Sequence, residues 1–419
     1  MRALPIVLIG AFAISVANVS RAGQAASPAL TLTRAIHEAL VANPELVALR
    51  RDYDAAKAAA PAARFLDAPT FETQIWQWPV TTVNPAMVDM YMFTAEQELP
   101  GRGKRAAREL VADRDAEMSR RQIAVRANEI LNNVKQTYVE LLLARATATL
   151  YEQQTPILRD IADAATLRFA SGHAGQHDTV KSVVELARLQ ADAIEWRERT
   201  RTAETRLLSL LGRSPGSPLG ALAPADSGTP DVSVAESSAA QRHPEVQMAL
   251  ATVAREEAEL ARIVGESKPD FVVGGGYMLQ PGSAGAWTAR GGISWPNAPW
   301  SRGKRNTEIA AQAKRLEAAR AHRDATLSAV RQSVREATAR LEAARQRVEL
   351  LETAVTPHVE HDFDVSRASY AAGRAEFADL LESERALLTT RMDVIAARAA
   401  VQRAIADVEL AVGDIPENE

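Results

Sequence analysis

With no cysteine in the chain, any chemistry has to come from carboxylates, histidines or basic clusters. His173 and His177 flank a glycine-rich stretch, and His358 and His361 stand three apart. Both spacings could begin a metal site, but neither pair has an obvious third ligand, so solvated histidines are expected, with no metal and no cofactor. Two basic stretches, Gly101-Arg102-Gly103-Lys104-Arg105 and Ser301-Arg302-Gly303-Lys304-Arg305, resemble nucleic-acid patches at first sight. A net charge of −4 argues against nucleic acid as a partner. The best-placed acids are Asp178 and Asp379, each a few residues after a turn glycine (Gly172, Gly373), with Glu382 one turn beyond Asp379. Acids at these places cap helices in any case. No catalytic constellation emerges, and an enzyme is the least expected reading.

These residues are positioned by a chain that repeats itself. The two basic stretches stand 200 residues apart, as do Asn43-Pro44-Glu45-Leu46 and His243-Pro244-Glu245-Val246. Thr155-Pro156, Gly172 and Leu211-Gly212 return as Thr356-Pro357, Gly373 and Val412-Gly413 at an offset of 201. One residue has been gained between the second basic stretch and its proline. A constant offset over prolines and turn glycines marks a duplication. The resulting division is a signal peptide over 1–26, a first repeat over 27–212, a linker over 213–238 rich in Pro, Gly and Ser, a second repeat over 239–413 and a tail over 414–419. The signal peptide rests on Arg2, the apolar run Leu4 to Val19 and the small residues after it. No later segment is apolar enough for a transmembrane helix, and no cysteine can carry a lipid anchor.

Each repeat reads as helix, β-hairpin, long helix, glycine turn and returning helix. Thr31 or Thr33 caps the first helix, which Asn43-Pro44 breaks or kinks. The first hairpin is expected over Phe71 to Trp78 and Met87 to Leu99, the second over Phe271 to Leu279 and Trp287 to Trp295. The long helices are expected to begin at the basic stretches, and Thr155-Pro156 is expected to bend or briefly break the first. In the second, Leu327, Val330, Val334, Ala337, Leu341, Ala344, Val348, Leu351 and Val355 alternate spacings of three and four, a coiled-coil seam. The first repeat carries the same seam 200 residues earlier, from Ala127 to Tyr151.

The last strand places Trp287, Ala289, Gly291, Ile293 and Trp295 on one face, and Thr288, Arg290, Gly292 and Ser294 on the other. Its tryptophans lie about 26 Å apart at ~3.3 Å per residue. An apolar face with aromatics at both ends, Tyr277 adding to them from the preceding strand, is what a membrane strand shows to lipid. Only a closed barrel can span lipid, because an open edge strands backbone groups. Four strands are too few to close, so the barrel is shared among subunits; two chains supply eight strands and three supply twelve. The basic residues Arg102, Lys104, Arg105, Arg302, Lys304 and Arg305 then mark strand-to-helix junctions and read as interfacial anchors.

Over residues 30 to 413 the chain resembles the TolC-like outer-membrane efflux proteins, and Gln97 to Arg105 resembles the strand-to-helix signature of their heavy-metal-efflux branch. The resemblance implies a mainly α fold with a small β part: tandem-duplicated coiled-coil helices and two β-hairpins forming a trimeric β-barrel and α-barrel channel. It further implies a homotrimer in outer-membrane lipid, with a tunnel through the periplasm docked to a periplasmic adaptor (membrane fusion) protein and an inner-membrane pump. The function implied is a passive exit duct, with metal cations as a candidate cargo. The gate it implies lies at the periplasmic tips, from Gly172, Asp178, Gly373, Arg374, Asp379 and Glu382. The family's tip arginine is replaced by Ala375, with Arg374 one residue earlier. The competing readings are a periplasmic adaptor, which has a single hairpin flanked by β-domains, and a structural coiled-coil protein of the envelope, which has no strands.

Overall fold

Capping chemistry sets the entry to each repeat. The computed structural model describes residues 29–81, 84–172, 175–224 and 232–413; the signal peptide, the tail 414–419 and His173 lie outside them. Helix α1 (Leu32–Ala42) starts where the Thr31 hydroxyl accepts the Arg34 N–H at 3.2 Å. Asn43 ends α1 and opens α2 (Pro44–Ala59), its side chain accepting from the N–H groups of Glu45 at 3.0 Å and Leu46 at 3.4 Å. Pro44 sits in the first turn, where a missing N–H costs nothing. His243 takes the same role between α5 (Val232–Arg242) and α6 (Pro244–Gly265), its Nδ1 accepting from Glu245 N–H at 3.2 Å.

The linker expected over 213–238 is shorter than that. Helix α5 already begins at Val232, and Ala239 on it is fully buried. Upstream, Leu222 forms a parallel bridge with Leu30, which ties this connection to the start of the first repeat.

The two hairpins form one sheet. Strands β1 (Thr70–Trp76), β2 (Met90–Leu99), β3 (Asp270–Leu279) and β4 (Ala286–Ser294) are antiparallel and ordered β1-β2-β3-β4. Among the described residues, both edges, β1 and β4, are unpaired. The register sets Thr73, Phe93, Tyr277 and Trp287 in one row, and Ile75, Tyr91 and Leu279 in another on the same face.

Below the sheet run the long helices. Helix α3 (Lys104–Ala170) has 67 residues, about 100 Å at ~1.5 Å per residue. Helix α4 (Gln176–Leu210) returns. In the second repeat α7 (Arg302–Leu350), a short π-helical turn (Leu351–Val355) and α8 (Thr356–Ala371) go down, and α9 (Phe377–Val412) returns. Pro156 does not break α3, which continues through it. The Thr155 hydroxyl donates to the Tyr151 carbonyl at 2.8 Å, and packing on both sides holds the rest of the helix. The residue gained in the second repeat is housed in the π turn: Leu351 still matches Tyr151 at an offset of 200, whereas Thr356 matches Thr155 at 201. The Thr356 N–H reaches five residues back to the Leu351 carbonyl, the signature of one added residue.

The seams form the core. Leu46, Ile130, Val134, Leu141 and Leu207 are buried together, and Val246, Val330, Val334, Leu341 and Val408 make the equivalent cluster in the second repeat. Helix α3 packs on α4 and α9, and α9 packs on α7. Among the described residues the row of long helices therefore runs α4, α3, α9, α7, with α5 and α6 also against α7 and no further long helix beyond either end.

Candidate functional site

Three places could do work: the sheet, the corners where strands become helices, and the far tips of the helices. The sheet has two chemically opposite faces. One carries Phe71, Ile75, Phe93, Phe271, Tyr277, Trp287 and Ile293, all apolar or aromatic. Trp287 is 83% exposed, and its ring lies 5.0 Å from that of Tyr277. Trp295 stands just past the other end of β4, edge-on to Trp300 at 6.3 Å. The opposite face carries Glu72, Gln74, Thr94, Glu96, Glu98, Thr288 and Arg290. Arg290 donates to Glu96 at 2.6 Å across Gly274, where an added Cβ would meet the Glu96 side chain at 3.0 Å. One face suits lipid and the other water, as a barrel wall requires. The first hairpin follows this pattern less strictly, with Thr73 and Gln97 on the apolar face and Trp76 and Met92 on the polar one.

The two junctions look alike in sequence and differ in structure. Lys104 opens α3 and is 1% exposed; its Nζ lies 2.7 Å from Asp270 and 3.2 Å from Glu266, and the Gly101 N–H also donates to Asp270 at 2.7 Å. An interfacial-anchor reading does not suit Lys104, because its charge is neutralised inside the corner rather than presented to headgroups. Its counterpart Lys304 is 84% exposed, and its ion contact among the described residues is Glu308 at 3.9 Å. Arg105 and Arg305 donate to the backbone carbonyls of Arg64 and Ile263, both at 3.0 Å. Arg102 accepts from Lys268 through its carbonyl at 3.0 Å, and Arg302 donates to the Asn297 carbonyl at 3.3 Å.

At the tips, Gly172 and Gly373 take left-handed φ values of 76° and 73°, which reverse the chain without a Cβ penalty. The Arg374 N–H closes the second turn on the Ser369 carbonyl at 2.9 Å, while the Arg374 residue itself is exposed. Asp379 does what a helix-start acid does: its carboxylate accepts the Glu376 N–H at 3.3 Å in a capping box. Asp178 is half-buried in the first turn of α4, and Glu382 is exposed. His177, His358 and His361 are exposed, and no group of three potential metal ligands occurs among the described residues.

Residues absent from the sequence-based expectation join the two tips. Arg168, near the end of α3, donates to the Tyr370 carbonyl at 2.6 Å and lies over the Tyr370 ring at 4.5 Å. Tyr370 packs on Phe377 at 5.7 Å. Burial pushes the Tyr370 hydroxyl up; the Arg168 charge opposes this, and the Asp178 charge adds to it. Asp178 thus faces the other tip through Tyr370, while Asp379 is occupied in its own cap. An aromatic three residues before each tip glycine (Phe169, Tyr370) was a readable signal. Higher up, Arg385 on α9 pairs with Glu185 on α4, and Glu384 beside it is 2% exposed with one carboxyl oxygen unpartnered. Burial pushes Glu384 up to about 7, and the neighbouring Glu185 charge adds to the rise.

This arrangement recurs in known proteins. The family model described as outer membrane efflux protein matches residues 35–213 and again 235–414, the two repeats. The cobalt-zinc-cadmium resistance protein CzcC of Cupriavidus metallidurans is 24% identical over 399 residues, covering 93% of this chain and 91% of that protein. Among solved structures, the outer-membrane channel OprN superposes with a TM-score of 0.76 at 17% identity, over 91% of this chain and 89% of that one. The transmembrane channel CusC gives a TM-score of 0.76 at 16% identity, over 91% of each chain.

Proposed function

This chain belongs to the outer membrane efflux protein family and is an outer-membrane efflux component, and on that premise we propose that it is the passive exit duct of a tripartite system. The observation that carries the proposal is the pair of open ends. Among the described residues, a four-stranded sheet with one apolar face and two unpaired edges sits on a row of long helices whose ends, α4 and α7, have no further long helix beside them. Edges of this kind cannot face lipid. Three copies close both at once, giving a twelve-stranded barrel with a lumen and a helical tunnel beneath it. In that homotrimer the Glu96 and Arg290 face lines the lumen, and the tips carrying Asp178, Asp379 and Glu382 form the periplasmic gate. Acids repeated threefold make a ring that favours cations. The chain performs no reaction; the pump and a periplasmic adaptor supply energy and cargo choice. Exported delivery by residues 1–26 belongs to the same reading.

The cargo proposed is a divalent metal cation, on the strength of the cation-favouring tip and the resistance protein it resembles. Purified full-length protein in planar bilayers should show stable channels, and native mass spectrometry should give a trimer. A monomer without conductance refutes the duct. Replacing Asp178, Asp379 and Glu382 with Ala should abolish cation block and lower cation selectivity; no change in either removes these acids from the gate. Loss of the gene should sensitise cells to cobalt, zinc or cadmium; sensitivity to drugs alone overturns the metal reading.

A further inference from the structure

We propose that the open face of α7 docks on the open face of α4 of a second copy, fastened by Glu336 of one copy against the Arg206–Glu140 pair of the next. This rests on the shared-barrel reading above, and it names the side chains that set the register.

The template for this contact lies inside the chain. Helix α3 of the first repeat packs on α9 of the second. There Gln136 donates to the Asp407 carboxylate at 2.8 Å and to the Arg403 carbonyl at 3.2 Å. Asp407 also feels the charge of Arg340 on α7. A carboxylate on the returning helix is thus held between an amide from the other repeat and a guanidinium from its own.

The internal repeat maps each of these positions. Gln136 corresponds to Glu336 and Arg340 to Glu140, at an offset of 200; Asp407 corresponds to Arg206, at 201. In the first repeat Arg206 lies 3.7 Å from Glu140. This is the Asp407–Arg340 contact with both signs exchanged. A reversed charge on the returning helix asks for a reversed partner from the other repeat, and position 336 is a glutamate. Neutral Gln136 has been replaced by an acid where its counterpart would meet a base.

That meeting does not happen within one chain, because α7 and α4 stand at opposite ends of the row. The contacts drawn to the Glu336 carboxylate come from its own helix, Gln332 at 2.8 Å and Arg340 at 3.2 Å. Apolar surface points the same way. Val180 and Val183 on α4 are exposed, whereas their counterparts on α9, Leu381 and Glu384, are buried. The face that is buried on α9 is therefore bare on α4. These positions lie near the tips, where the descending helix of another copy is α8, the continuation of α7.

The absence of cysteine makes the test clean. A chain carrying both R206C and E336C, in outer membranes, is treated with a short bismaleimide. Covalent dimers and trimers should form, and neither single variant should give them. Native mass spectrometry of the wild-type chain from the same membranes separates the two readings. A trimer without covalent ladders overturns this docking register, and a monomer overturns the shared barrel itself. A linkage confined to single chains also overturns the docking. For the ion pair, E336R should lower the fraction of trimer surviving heating in detergent severalfold, and combining it with R206E and E140R should restore it. Equal survival of wild type and E336R, or no recovery in the triple variant, overturns the pairing.

Discussion

Replacing Glu384 with Gln tests the tip region most directly. Glu384 sits on α9 among Leu380, Leu381 and Leu387, 2% exposed, with Glu185 the nearby like charge and Arg385 already committed to Glu185. Burial raises its carboxyl from 4.5 to about 7. The folded protein therefore keeps a proton that the unfolded chain has lost, and stability falls as pH rises from about 4.5 to about 7, then levels off. At ~1.4 kcal/mol per tenfold, the full effect is about 3 kcal/mol. E384Q is a neutral mimic of the protonated form. It should stabilise this part of α9 by about 3 kcal/mol at pH 8 and by less than about 1 kcal/mol at pH 5. Amide hydrogen exchange of peptides from 377–390, corrected for intrinsic rates, reads local opening directly. Wild-type protection should fall between the two pH values and E384Q protection should not. Wild-type protection that does not change with pH would refute the reasoning.

Three further outcomes follow from the geometry. K104A removes the cation from a buried corner and leaves Asp270 and Glu266 facing each other, so it should destabilise by about 3–5 kcal/mol; K304A, at a fully solvated counterpart, should stay within about 0.5 kcal/mol in the same thermal melts. R168A removes both the carbonyl bond and the ring contact to Tyr370, a loss of about 1–3 kcal/mol between the tips, visible as faster proteolysis at 372–375. Deleting Thr353 should convert the π turn to α-helix at a cost below about 1 kcal/mol, because the first repeat folds without that residue; loss of helical circular dichroism would contradict this.

Much of this fold is legible because periodic burial writes itself into sequence. The 3,4 seam from Leu327 to Val355 and its image from Ala127 predict long paired helices, and the turn glycines predict where they reverse. The first hairpin was hard to read, since a long loop between Trp76 and Met90 interrupts its alternation; only the register shows Tyr91, Phe93 and Ala95 continuing the apolar face. Helix α5 hid behind Ser and Val, weak helix formers that packing on α7 overrides. At the tips, the glycines and the acids were visible in sequence, yet Asp379 turned out to be committed to its own cap. Arg168 and Glu384 could not be found from the repeat, because their counterparts are Ser369 and Val183 and pairing across helices leaves no periodic trace. Two identical Arg-Gly-Lys-Arg stretches likewise hid a buried Lys104, which meets Asp270 at 2.7 Å, and a solvated Lys304, whose ion contact among the described residues is Glu308 at 3.9 Å; the counterpart of Asp270 in the other repeat is the uncharged Thr70.

The wide turn at Leu351–Val355 acts as a phase corrector. One residue added to a regular helix would rotate everything after it by about 100°. Phe363 would then leave the core, and Tyr370 would swing away from Arg168. Storing the extra residue in a local loosening cancels that rotation before the tip is reached. The two copies of an ancient duplication have thus been free to drift in length along their shafts, while the ends that must meet stayed in step.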